Sequence, residues 1–294
     1  MFYRRKIILA LLQLFDGKSE KIRLQKLIML FCERQEKHDY DFIPYKFGNY
    51  SFSANADLNA MASQQFIIST EKYYEKKDKT DYLKQLREED RKNLLEIKTL
   101  YGKMNNSTLM RHIYLNYPYY AIKSEVAEKI LSEEEFERVK ERNPKISKTI
   151  LYTIGYEGIS LEEYLNRLIK NDVKVLVDVR NNPLSMKFGF SKNQLEKYCT
   201  SIGIKYMHFP EVGIQSEYRQ GLKTQSDYAQ LFSDYRKQNL IKTKSTQEKI
   251  LFLLKEYKRI ALTCFEANIY QCHRQHLANS ISKLNGFEYE VKHI

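Results

Sequence analysis

No apolar stretch in this 294-residue chain reaches the roughly 18 residues that a membrane-spanning helix requires, because charged side chains interrupt every candidate. No export signal is expected either. Arg4, Arg5 and Lys6 stand before the apolar run 7–15, but Asp16 follows it and there is no small-residue cleavage site, so the expected address is the cytoplasm. Tryptophan is absent, while lysine, isoleucine, asparagine and tyrosine are abundant, a bias that a genome can impose without functional demand. Cysteines are few: Cys32, Cys199, Cys264 and Cys272. In a reducing compartment they are expected as thiols, with Cys32 and Cys199 as packing residues in helical patterns. There is no G-x-G-x-x-G turn, no Walker loop and no Cys-x5-Arg phosphatase loop, so no motif supports a dinucleotide or ATP and no cofactor is assigned.

What the chain does have is positive charge, +12 at neutral pH. That excess points toward a partner with phosphates, a nucleic acid or a nucleotide. It does not single out one half: the first 150 residues hold 28 basic and 22 acidic side chains, the remainder 21 and 15. The length suits two ordinary domains. Residues 143–148, Asn143-Pro144-Lys145-Ile146-Ser147-Lys148, are the best linker, because they follow a charged helical run, contain a helix-stopping proline and precede a clear strand. One domain is expected over 1–142 and another over 149–294.

The first domain reads as mostly helical. Apolar periodicity predicts helices over 6–15, 19–35, 54–63, 91–101, 108–116 and about 124–131. The aromatic segment 40–52, punctuated by Pro44 and Gly48, reads as a loop or hairpin, and 65–69 as a short strand. The lysine-rich stretch 71–79 reads as a solvated turn or helix face. That order is compatible with a winged-helix-like domain. Leu24-Gln25-Lys26-Leu27 and Pro44-Tyr45-Lys46-Phe47-Gly48, with the tyrosine-rich segment 112–120, resemble the winged-helix-like domains of phage-associated and antitoxin-like proteins. The resemblance implies a surface for DNA or for a protein partner, a second copy included. Aromatic residues at a turn after a helix usually join the core, which is the expectation for Tyr45 and Phe47.

The second half alternates strand and helix. Strands are expected over 149–154, 173–179, 204–209, 259–264 and 287–293, with helices over 161–170, 191–201, 225–238, 246–257 and 272–284. Ser160 and Glu163 have capping-box spacing at the first of these helices. This pattern predicts an α/β fold, a Rossmann-like domain with a mainly parallel sheet. Such sheets bind ligands beyond the carboxyl ends of their strands. Turn chemistry accounts for Gly155, Gly158, Asn182 and Pro183 there, but not for carboxylates, arginines, histidines and thiols gathered at one edge.

Roles follow from residue chemistry. Cys272 opens a helix, whose free N–H groups and dipole favour a thiolate. With it, Glu266, Glu157, Cys264 and His273 are the catalytic candidates, the carboxylates as general acids or bases or as partners that aim arginines. Arg180 and Arg274 suit bidentate bonding of phosphate or carboxylate. Tyr156, Asp178, Asn181, Lys187, His208 and Glu211 complete the ligand-binding candidates, although a strand-end Asp178 often bonds nearby backbone and Cys264 is as readily a small buried residue. Cys264-x7-Cys272-His273 fits no familiar zinc motif, and no metal is assigned.

Several of these motifs, in order, resemble the family called domain of unknown function 488. They are Thr153-Ile154-Gly155-Tyr156-Glu157-Gly158, Asp178-Val179-Arg180-Asn181-Asn182-Pro183, Phe188-Gly189-Phe190-Ser191-Lys192, Cys264-Phe265-Glu266 and Cys272-His273-Arg274. Met186 stands where an arginine is common in that pattern, while Lys187 remains. The resemblance implies the fold and no activity. Three functions stay open. One is an enzyme for hydrolysis or group transfer on a nucleotide or nucleic acid, recruited by the basic N-terminal domain. Another is a ligand-sensing regulator whose winged helix reads DNA. The third is an antitoxin-like interaction module. The thiols and carboxylates favour the enzyme, since anion binding alone needs mainly arginines and backbone N–H groups.

Overall fold

The computed structural model describes every residue except Gln220 and Lys223. The chain divides into two units, Met1–Asn143 and Pro144–Ile294.

In the first unit, α1 (Tyr3–Leu14) and α2 (Lys21–Cys32) bury runs of consecutive residues, Ile7 to Leu12 and Leu24 to Cys32, so both are central helices rather than one-sided surface helices. Strand β1 (Lys18–Glu20) lies between them. A hairpin of β2 (Ile43–Tyr45) and β3 (Gly48–Tyr50) follows, then α3 (Phe52–Ser63), whose N-terminus is capped by Ser51 Oγ accepting from Ala54 N. Next come β4 (Ile67–Ser69) and β5 (Tyr73–Lys76). These form a three-stranded antiparallel sheet in the order β1-β5-β4. The stretch expected as a solvated turn or helix face is therefore its central strand. Tyr74 is the reason: it is buried at 2 % exposure and pins the segment, while the surrounding lysines mask that pattern in the sequence. Helices α4 (Glu88–Tyr101), α5 (Asn106–Asn116), α6 (Ala127–Ile130) and α7 (Glu133–Lys140) complete the unit. The helix expected over 124–131 is thus a single turn.

The two motifs 24–27 and 44–48 meet in space. Gln25 Nε2 donates to Ser51 O while its Oε1 accepts from Ser51 N. Buried Lys26 Nζ donates to Phe47 O and Asn49 O across the β2–β3 turn. Gly48 is at φ +92, and a Cβ there would lie 2.6 Å from the Tyr114 ring, so the turn admits only glycine. Tyr45 packs on Tyr50 and Phe52 at ring distances of 5.0 and 5.6 Å. Phe47 does not join the core; it is 39 % exposed, because its backbone carbonyl rather than its ring faces the protein interior.

In the second unit, β6 (Ile150–Gly155), β7 (Val175–Asp178), β8 (Lys205–His208), β9 (Arg259–Cys264) and β10 (Glu290–His293) form one all-parallel sheet in the order β10-β6-β9-β7-β8. Its crossovers carry α8 (Leu161–Lys170), α9 (Lys192–Ser201), α10 (Gln225–Asp234), α11 (Leu240–Lys242), α12 (Lys244–Tyr257) and α13 (His273–Ile281). Every residue of β7 and β9 is buried, as a strand covered on both faces requires. Leu151, Val175, Val177, Ile260 and Leu262 share a core with Ile250 and Leu254 of α12 and Leu277 and Ile281 of α13. On β9 the intervening Thr263 takes a hydrogen bond from Tyr164 of α8, at 2.8 Å. A wide helical turn, Tyr235–Asn239, joins α10 to α11, so the two helices expected over 225–238 and 246–257 run on almost without a break. Ser160 Oγ accepts from Glu163 N at the start of α8, and Glu163 pairs with Arg167.

Candidate functional site

The parallel order brings the carboxyl ends of β6, β9 and β7 side by side. They open on a cavity of about 300 Å³ whose lining includes Tyr156, Arg180, Asn181, Arg219, Cys264 and His273. Three kinds of candidate residue separate there.

The first kind is structural. Asp178 and Arg180 are buried and paired: Arg180 Nε donates to both Asp178 oxygens at 2.8 and 3.1 Å, and Nη2 pairs with Oδ2 as well. Arg180 Nη1 spends its protons on Tyr156 Oη at 2.7 Å and Phe190 O at 2.8 Å, and Tyr206 Oη donates to Asp178 Oδ2 at 2.6 Å. Tyr156 stacks on Phe190 at 4.2 Å and 9°. Arg180 is therefore a spacer that holds the strand ends, not the free anion clamp expected of it. Arg274 departs from expectation in the same way, since both its terminal nitrogens donate to loop carbonyls, those of Glu266 and Ala267. Its Nε is buried with no partner among the described residues.

The second kind is tied to the surrounding loops and strands. His208 Nε2 binds Arg180 O at 2.8 Å, which ties β8 to the β7 end. Glu157 is exposed and accepts from Ala267 N at 2.9 Å. Glu211 accepts from Thr246 Oγ1 at 2.8 Å and lines a neighbouring cavity of about 420 Å³. Lys187 Nζ donates to Tyr156 O at 2.6 Å, and burial lowers its pKa. Asn181 donates to Pro210 O at 3.1 Å and borders both cavities. These residues shape loops rather than meet at one reacting point.

The third kind does meet. Cys264 Sγ lies 3.2 Å from Glu266 Oε2 and 3.6 Å from His273 Nδ1. His273 Nε2 binds Val179 O at 2.9 Å. A carbonyl can only accept, so Nε2 carries the proton and Nδ1 presents its lone pair to the cavity. Arg219 spans the two acceptors, with Nη1 paired to Glu266 Oε1 and Nη2 2.8 Å from His273 Nδ1. Arg219 comes from the short helical turn Ser216–Arg219, inside the long β8–α10 connection. No strand end or spacing marks it in the sequence, so reading strand ends alone misses it. Gly155 lets this cluster close, because a Cβ there would lie 2.0 Å from Glu266 O.

The two thiols differ in the opposite sense from the one expected. Burial raises Cys264, but the hydrogen bond from Cys272, the charge of Arg219, the Phe265 N–H and the charge of Arg274 outweigh it, and its pKa is lowered. Cys272 is fully buried at the N-cap of α13, and burial together with the neighbouring Cys264 pushes its pKa up. The helix N-terminus does not rescue it, because its sulfur is spent on Cys264. Cys264 is the more acidic thiol of the pair, and all four cysteines are free.

Cys264, Cys272 and His273 also bring one donor atom each within 4.8 Å of one another, close enough to share a metal ion. The His273 lone pair that such an ion would use already accepts from Arg219, and Arg219 and Arg274 place two positive charges beside the sulfurs. The donor set fits acid–base chemistry better than a cation.

The model of a family described as a domain of unknown function, DUF488, matches residues 160–281. This segment is similar to DUF488. The DUF488-like segment runs from the start of α8 to the end of α13 and so includes Arg219, Cys264, Glu266, Cys272 and His273. No curated protein and no solved structure matches the chain.

Proposed function

We propose that the second unit is a thiol-dependent enzyme that hydrolyses or transfers a group on a nucleotide or nucleic acid, with Cys264 as nucleophile. The observation that carries this reading is the position of Cys264 Sγ 3.2 Å from a proton acceptor, Glu266 Oε2, with Arg219 holding Glu266 and His273 in place around it. In the first step the Sγ proton passes to Glu266 Oε2. Sulfur then bonds to the electrophilic centre of the substrate, and the leaving group departs with that proton. Water, or a second acceptor substrate, displaces the sulfur and restores the thiol. Arg219 is a positioning residue here, and Cys272 supports the thiolate through its S–H. The four free cysteines agree with a cytoplasmic address, where thiols stay reduced.

The helix–strand–helix–helix–hairpin order of the first unit, with the β2–β3 hairpin inserted before α3, supports reading it as winged-helix-like. In that fold, the helix at the position of α3 enters the DNA groove. Here α3 contains no lysine or arginine, and its Asp57 is committed to Arg4, Arg5 and Tyr40. This favours a protein contact for the first unit over the regulator reading, in keeping with its antitoxin-like likeness.

The test is alkylation by iodoacetamide across pH, followed by mass spectrometry. The thiolate is the reacting form, so a lowered pKa predicts a midpoint below the ordinary cysteine value of about 8.5, located at Cys264. Cys264→Ala should abolish this labelling, and Cys272→Ala should move the midpoint upward. Preferential labelling of Cys272, or purified protein carrying one equivalent of thiolate-bound zinc, overturns the assignment.

A further inference from the structure

Away from the strand-end cavity, the second unit carries a larger groove of about 860 Å³ along α11, α12 and α13. Its α12 wall is one helical stripe, in which Lys244, Glu248, Phe252 and Lys255 recur every three or four residues. Across it stand His276 and Ser280 of α13 and, just beyond that helix, Lys283. The floor is rigid: Ser280 Oγ donates to Gln247 Oε1 at 2.6 Å and Gln247 Nε2 donates to Leu240 O at 2.6 Å.

Four cations line this groove, Arg236, Lys244, Lys255 and Lys283, against a single carboxylate, Glu248. None of the four is in an ion pair among the described residues, in contrast to the paired Arg180 and Arg219 of the strand-end cavity. Arg236 Nη1 instead meets His276 Nδ1 at 3.3 Å. Burial, then the charges of Arg236 and His273, lower His276 to about 4, so it stays neutral and aims Arg236 without cancelling its charge. Unpaired like charges in one concavity repel one another and focus a positive potential there. Two large apolar side chains stand among them, Phe252 at 66 % and Ile241 at 69 % exposure. An acidic peptide would engage the cations and leave both apolar faces in water. A strand of nucleotides uses both, its phosphates on the cations and its bases on the ring.

We infer that the α12–α13 groove binds single-stranded nucleic acid, with phosphates on Arg236, Lys244, Lys255 and Lys283 and a base stacked on Phe252. This deepens the nucleic-acid side of the function proposed above and rests on it. It also gives the recruiting role, expected of the N-terminal domain, to the unit that holds Cys264.

The experiment is fluorescence anisotropy of a labelled 15-nucleotide oligothymidylate against the full-length protein over a range of salt. Four phosphate contacts predict a log–log salt slope near −3, since single strands contribute about 0.7 per contact. Lys244→Glu/Lys255→Glu/Lys283→Glu should weaken binding at least about tenfold and flatten that slope. Phe252→Ala should weaken it roughly 5- to 140-fold with the slope unchanged. Three outcomes overturn the inference: no binding by the wild type, unchanged affinity in the triple variant, or polyglutamate competing as well as unlabelled oligonucleotide. Cys264 alkylation in the triple variant reports separately on the strand-end cavity. Retained labelling with lost binding supports the groove, whereas absent labelling in the wild type counts against the thiol assignment alone.

Discussion

At the scale of single residues, the second unit divides its charged side chains into those that hold and those that act. Asp178 and Arg180 belong to the first group. Both are buried, and Arg180 also ties Tyr156 and Phe190 to the β7 end. Asp178→Ala would leave a buried guanidinium without its counter-charge, and removing one partner of a buried pair costs about 3–5 kcal/mol. Urea denaturation should register that loss, and a change below about 1 kcal/mol would mean that the pair is solvated. Cys264 belongs to the second group, because its neighbours favour its charged form instead of cancelling it.

Elements determine what these residues can reach. Between α2 and the β2–β3 hairpin, Lys26 is buried with two carbonyls as its partners among the described residues, and burial lowers its pKa to about 7. The unfolded chain keeps an ordinary lysine value near 10.4, so from about pH 7 upward it binds a proton that the folded unit has released. Stability of the first unit therefore rises with pH over that window. Thermal unfolding between pH 7 and 9, below the range where exposed tyrosines ionise, should show the rise, and Lys26→Met should flatten it. An equally steep rise in that variant would assign the effect to another group. In the second unit, the corresponding element is the turn 216–219. It begins eight residues beyond the end of β8, outside the strand-end motif, yet it puts Arg219 between Glu266 and His273.

For the whole molecule, the division into Met1–Asn143 and Pro144–Ile294 predicts its response to protease. Arg142, Lys145 and Lys148 are exposed in a segment without helix or strand. Brief trypsin treatment should cut there first and leave two resistant pieces, each about half the chain. First cuts within α12 would contradict this division. No helix among the described residues is long and apolar enough to cross a membrane.

Local physics made much of this legible in advance. Apolar runs bounded by turn residues placed β6, β7, β8 and β9, and their alternation with helices specified a parallel sheet, since such connections have few other solutions. The strand-end rule then led to Cys264, Glu266, Cys272 and His273. Segments with weak local signals were not legible: β5 is hidden among lysines, and α6 is cut to one turn. Nor could the chain order show which of two cysteines has the charge-stabilising neighbours, that Arg180 and Arg274 spend their protons on the scaffold, or that Arg219 arrives from a loop. A pKa or a free donor depends on every group within a few ångströms, and most of those groups are distant in sequence. Patterns along the chain carry secondary structure because its contacts are local. The difference between Cys264 and Cys272 arises from non-local contacts, and only the folded arrangement decides it.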